Sequence, residues 1–169
     1  MPDDAALRAF AELPDDELDR LLHACCASST WVARVRAGRP YATAEHLLDA
    51  ADRACRALSP ADVDEALAAH PRIGERAQGE DPQARWSRRE QASVADADGA
   101  TSERLREGNA AYEQRFDRVF LVRAAGRSPD EVLVELERRL GNDPETEQQE
   151  VVEQLAQITR LRVERLLQP

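Results

Sequence analysis

The chain has 169 residues, a formal net charge of −10, 42% hydrophobic and 33% charged residues. It is long enough to bury a core, too hydrophobic to stay disordered, and too acidic to bind a phosphate backbone, which requires a basic footprint. All 23 basic residues are arginine, which excludes chemistry through a lysine Schiff base; an anionic small substrate stays open where arginines converge locally.

No apolar run approaches the ~20 residues a bilayer requires. The start, M-P-D-D-A-A, is acidic and has no signal-peptide pattern, so a cytoplasmic location is expected. Cys25, Cys26 and Cys55 are odd in number and lack a C-x-x-C. They read as small buried apolar residues rather than a disulfide framework or a zinc site.

In chain order, Pro14-Asp15-Asp16-Glu17 starts a helix with acids at its positive end, and Leu18, Leu21 and Leu22 form its stripe. Ser28-Ser29-Thr30 caps a short helix from Trp31 to Arg36, stopped by Gly38-Arg39-Pro40. Thr43 caps a third, with Leu47, Leu48, Ala51, Ala54, Cys55 and Leu58 on one face. Ser59-Pro60 starts a fourth, carrying Val63, Ala66, Leu67 and His70, which Pro71 must end. Residues 71–86 read as an ordered polar loop, and Ser87 opens the next helix. Thr101-Ser102-Glu103 starts a long one through Phe116. Val119–Val122 has strand-like composition but no partner strand. Ser128-Pro129 and Asp143-Pro144 start the last two helices, with Gly141-Asn142 between them. The sum is an all-α, single-domain protein over residues 1–169, a non-symmetric bundle of about seven to eight helices.

Three places carry candidate chemistry. His70 shares an apolar helix face at the turn into Pro71, where the negative helix end favours its charged form and suits a proton donor; a capping histidine is the alternative. Ser87-x-x-Glu90 has capping-box spacing, or Glu90 faces a ligand from the head of its helix, where free amides also bind anions. Arg162 falls on the apolar stripe of the last helix, either snorkelling or reaching inward to an anion. His23 and His46 lack metal-ligand company. Trp31 and Trp86 read as packing residues, and Tyr112 with Phe116 as an i, i+4 aromatic pair. No phosphate-cradling glycine loop and no G-x-S-x-G occurs.

His70-Pro71 with Ile73-Gly74, Ser87-x-x-Glu90-Gln91 and Asn109-x-x-Tyr112-x-x-x-Phe116 together resemble the 2-oxo-4-hydroxy-4-carboxy-5-ureidoimidazoline (OHCU) decarboxylase family. Trp31 followed by Arg39-Pro40, then Arg138 through Asp143, and Ile158-x-x-Leu161-Arg162 extend the resemblance over about residues 5–167. The resemblance implies a cofactor-independent, homodimeric all-α enzyme that decarboxylates the ureidoimidazoline to S-allantoin in urate breakdown. Carried over by position, His70 is the catalytic histidine, and Glu90 is expected to join it in catalysis by orienting the substrate hydroxyl or the imidazole. Pro71, Ser87, Arg88, Arg89, Glu90, Gln91, Phe120, Leu121, Val122, Arg123, Ala124 and Arg162 are the substrate-binding residues, with Arg160 close enough to compete for the last role. No metal is implied.

The chain departs from the pattern in three places, one of them a segment about two residues shorter before Asn109. Val94-Ala95-Asp96 stands where the family usually has A-G-L. Phe116-Asp117-Arg118-Val119-Phe120 replaces F-G-F-P-F, losing a glycine and a proline. These departures motivate two alternatives: a non-catalytic helical interaction module, and a related lyase on another ureido acid. The enzymatic reading requires His70, Glu90 and Arg162 to meet at one cavity.

Overall fold

The structure is a computed structural model and describes residues 2–168. Among them it forms ten helices and no strand: α1 (Pro2–Glu12), α2 (Asp15–Cys25), α3 (Ser29–Ala37), α4 (Ala44–Arg56), α5 (Pro60–Leu67), α6 (Pro82–Glu90), α7 (Ala92–Ala95), α8 (Gly99–Phe116), α9 (Pro129–Leu140) and α10 (Pro144–Leu166). The all-α expectation holds. The count exceeds seven to eight because α1, which precedes the first helix start read from the sequence, and the single turn α7 are additional.

Local side-chain chemistry sets most boundaries. Ser28, Thr43 and Ser128 each accept a hydrogen bond from the amide three residues on, and Ser128 with Glu131 completes a capping box. Two boundaries differ from the sequence reading. Helix α6 begins at Pro82, with Asp81 accepting from the Ala84 amide, so Ser87 lies inside the helix and caps nothing. Helix α5 ends at Leu67, three residues before His70, and His70 N–H closes the turn on the Leu67 carbonyl at 2.9 Å.

The described chain divides into two compact units. The first holds the residues up to Ala66 together with those from Leu155 on. Its interior is built from Leu18, Leu22, Trp31, Val35, Leu47, Ala51, Cys55 and Val63, all essentially inaccessible to solvent. Trp31 is fully buried and its indole Nε1 donates to the Ala51 carbonyl at 3.0 Å. All three cysteines are buried, as expected for small apolar residues, and none is in a disulfide. Arg162 is fully buried here, with Nη1 donating to the Ala24 carbonyl at 3.2 Å. Arg160 is half-buried and engages Glu45 at 2.8 Å.

The second unit spans Leu67–Gln154. Ile73, Val94, Leu105, Tyr112, Phe120, Val122, Val132, Leu133 and Leu136 form one buried cluster, and Trp86 is half-buried on α6. Helices α8 and α9 pack closely because residue 108 is glycine: a Cβ there would fall 2.5 Å from Leu136 Cδ2. Tyr112 stacks with Phe116 as the spacing predicts, ring centroids 4.8 Å apart, and meets Phe120 edge-on at 5.2 Å.

Residues 117–128 run through this unit without regular structure, yet Phe120, Leu121, Val122 and Ala124 are buried. Buried backbone must still be hydrogen-bonded, and here side chains do the work of a missing strand. Arg139 Nη1 donates to the Leu121 carbonyl at 2.6 Å, and the Arg123 amide donates to Gln154 Oε1 at 2.8 Å. Arg139 is itself fully buried, so its charge demands a partner. Glu147 supplies it, accepting from Arg139 Nε at 2.9 Å, from Asn142 Nδ2 at 3.0 Å and from the Tyr112 hydroxyl. Burial, and next the bond to Glu147, push the Tyr112 hydroxyl's pKa upward, so it stays a donor. The segment starts at Asp117, whose φ of 54° is left-handed. Aspartate is among the few residues that tolerate this conformation, and it stands where the family pattern has glycine.

Candidate active site

The second unit builds its hollows around the segment that follows α5. Two turn residues after Leu67 bring the chain to His70, and Pro71 directs it away from helix. Gly74 then takes φ +86° and Gly79 φ +94°, left-handed turns that a side chain would strain.

His70, Pro71 and Ser87 line one hollow of about 280 Å³, with Ala77, Gln83 and Ala84. His70 is half-buried, and its Nε2 atom is shielded from solvent. Ser87 reaches the hollow because α6 starts early, which turns that position from a cap into a helix-face residue. Glu90 lies three positions on, on the same side of the helix, and is only 8% exposed although it is a carboxylate. One unit thus carries an imidazole and a hydroxyl on a shared hollow and a buried carboxyl group one helical turn beyond the hydroxyl, although Glu90 is not among the residues lining that hollow. That set can hold a small polar substrate and move a proton.

Other expected contacts have different employment. Arg88 donates from Nη1 to the carbonyls of Ala77 at 3.0 Å and Gly79 at 2.6 Å, tying down the loop. Gln91 Oε1 accepts from the Gly74 amide at 3.0 Å. Both also line a neighbouring hollow of about 300 Å³ with Gly74 and Arg76. Arg89 is exposed. Of the 120–124 segment, the four apolar side chains are core, and the Arg123 amide is already used by Gln154. Arg162 belongs to the first unit.

Sequence reasoning missed Asn109 as more than a motif residue. It is 4% exposed and donates from Nδ2 to the Ile73 carbonyl at 2.8 Å. It also lines the largest of these hollows, about 610 Å³, with Arg72, Gly74 and Glu113. A buried asparagine on a helix facing a loop was the available signal, since such a group requires partners. Among the described residues, no group of three or more His, Cys, Asp or Glu side chains is placed to hold a metal ion.

A profile of the OHCU decarboxylase family matches residues 11–164, and the chain belongs to that family. The 2-oxo-4-hydroxy-4-carboxy-5-ureidoimidazoline decarboxylase of Haloferax volcanii is 28% identical over 165 residues, covering 96% of this chain and 89% of that protein. The protein of the same name from Amia calva is 30% identical over 138 residues, covering 80% and 79%. The crystal structure of an OHCU decarboxylase in the presence of (S)-allantoin shares the fold. Its TM-score is 0.73 at 24% identity, with 92% of this chain and 99% of that one covered.

Proposed function

We propose that this protein decarboxylates 2-oxo-4-hydroxy-4-carboxy-5-ureidoimidazoline to S-allantoin in urate breakdown, with His70 as the proton donor. Membership of the family supports the reaction. The observation that carries the site assignment is the hollow where His70, Pro71 and Ser87 meet, with Glu90 buried one helical turn from Ser87.

The chemistry suits such a site. The bond between the ring carbon and the carboxylate breaks, CO2 leaves, and the electron pair passes into the neighbouring C=N of the ring. The C=N nitrogen takes up a proton, a proton delivered to one face of the former C=N carbon sets its handedness, and the hydroxyl on the decarboxylated carbon gives up its proton to become the carbonyl of allantoin. The substrate is its own electron sink, so the reaction is read as cofactor-independent. The protein has to hold the carboxylate out of the ring plane and present one acid on one side. Glu90 is assigned to orient the substrate hydroxyl or the imidazole. Ser87 and Pro71 shape the hollow, and Arg162 keeps the substrate-binding role the resemblance implies. Arg88, Arg89, Gln91 and residues 120–124 keep the substrate-contacting roles the resemblance implies, with Arg88 and Gln91 acting also through the loop they hold.

The family profile runs through both compact units, which supports reading them as one functional domain. The homodimer rests on the resemblance, and sedimentation of the purified protein tests it. No helix among the described residues is long and apolar enough to cross a membrane; a cytoplasmic location is the accompanying proposal, tested by fractionating cells.

The assay is direct. Urate is converted in place by uricase and hydroxyisourate hydrolase, and the circular dichroism of the allantoin is followed with and without the protein. Faster formation of one enantiomer supports the decarboxylase. An unaccelerated, racemic course would leave the interaction module or a lyase acting on another ureido acid.

A further inference from the structure

We propose that Asn109 is a positioning residue for the imidazole of His70, acting through the backbone of the loop that carries it. The proposal deepens the decarboxylase reading and rests on His70 being its proton donor.

Loop geometry comes first. The segment around His70 is fastened on both sides by neutral side-chain amides. Before it, Gln83 Nε2 donates to the Ala69 carbonyl at 3.0 Å. After it, Asn109 Nδ2 donates to the Ile73 carbonyl at 2.8 Å, and the Gly74 amide donates to Gln91 Oε1 at 3.0 Å. Ile73 is 5% exposed and packed in the core, so its carbonyl has little access to water. Asn109 sits mid-way along α8, so the bond ties the loop to the interior of a helix.

Asparagine is a costly choice there. Its Oδ1 is buried and finds no hydrogen-bond donor among the described residues, and burying an unmatched acceptor is destabilising. An apolar side chain of similar shape, such as leucine, avoids that cost. What leucine cannot supply is the donor to Ile73. The amide half that works therefore fixes the loop, and the half that does not is the penalty accepted for it. The loop leads through Arg72 and Pro71 to His70, which lines the hollow with Ser87. Displacing a catalytic group by about 1 Å can cost ~10²-fold in rate. Asn109 is absent from the lining of that hollow and lines the separate cavity beside Arg72, so its effect is separable from substrate contact.

The test is Asn109→Leu in the full chain, read in two ways. Steady-state kinetics should show kcat reduced about 10-fold, with KM changed by no more than about 2-fold. Long-range 1H–15N correlation of the imidazoles should show the His70 resonances displaced. Those of His23 and His46, both exposed and in the first unit, should stay in place. If Asn109→Leu does not fold, Gln91→Met removes the acceptor for Gly74 from a half-buried position and must displace the same resonances. Unmoved His70 signals in a folded variant overturn the proposal, and so does a displacement shared by all three histidines. A fully active His70→Asn variant overturns instead the role assigned to His70, while the imidazole spectrum still reports whether Asn109 places it.

Discussion

Two irregular segments of the second unit are held by opposite means. Residues 68–81 are mostly exposed and polar, and neutral amides from Gln83, Gln91 and Asn109 fasten them at single points. Residues 117–128 carry four buried apolar side chains, and a buried arginine with its glutamate fastens them from within. The first arrangement fixes one side chain relative to a hollow while leaving the rest of the loop solvated. The second makes the loop part of the core. A lost amide should therefore alter geometry, whereas a lost ion should cost the fold.

The largest test of that contrast is Arg139→Ala. It strands Glu147 at 2% exposure and removes the donor to the Leu121 carbonyl. Removing one partner of a buried pair costs roughly 3–5 kcal/mol, a large part of the ~5–15 kcal/mol that typically holds a domain. Urea denaturation should show the loss; a midpoint within error of wild type would break the contrast. Next is His70→Asn, expected to lower the enzyme-dependent rate ~10²-fold or more, about 2.7 kcal/mol in the barrier, while the same urea curve barely moves. Equal activity of the two proteins would remove His70 from the mechanism.

Arg138 sharpens the comparison, because it neighbours Arg139 but stays half exposed. Its bonds to Glu135 and Glu150 are short and hold both carboxyl groups below their ordinary value of 4.5. A lowered carboxyl pKa adds stability above the unfolded value, lost as pH falls through the folded one. Arg138→Ala should thus cost stability at pH 7, with the difference closing below about pH 4.5. Solvent screening keeps it near ~1 kcal/mol or less. Melting curves at pH 7 and pH 3 check both size and sign; a larger gap at pH 3 would contradict the assignment. The smallest effect is expected from Asp117→Gly, which relieves the left-handed φ and should raise stability by less than ~1 kcal/mol. A lower melting temperature would show that the aspartate side chain itself stabilises the turn.

The parts of this fold that were legible in sequence are those governed by neighbours in the chain. Ser28, Thr43 and Ser128 cap as expected because a cap needs only the next three residues. Ser87 misled for the same reason: the S-x-x-E pattern is locally sufficient, but Asp81-Pro82 offers an earlier start of the kind that Ser128-Pro129 also provides. His70 stood out because Pro71 bars helical geometry at that position, although α5 stops three residues earlier. Nothing local announces that Arg139 will meet Glu147 or that Asn109 will meet Ile73, since those pairings arise only when helices pack. The strand-like run Val119–Val122 was correctly denied a partner strand, but an arginine and a glutamine standing in for one lie beyond periodicity. The substrate-contacting roles of Arg88 and Gln91 came by resemblance, whereas their bonds to the loop are visible only in coordinates.

The chain's two indoles are divided between its two units. Trp31 is sealed in the first with its nitrogen bonded to Ala51, while Trp86 is half-buried in the second. Each unit therefore carries a native fluorophore in a distinct environment. Replacing either with phenylalanine leaves a single emitter, so the melting of one half can be timed by its spectral red shift independently of the other, without any added dye.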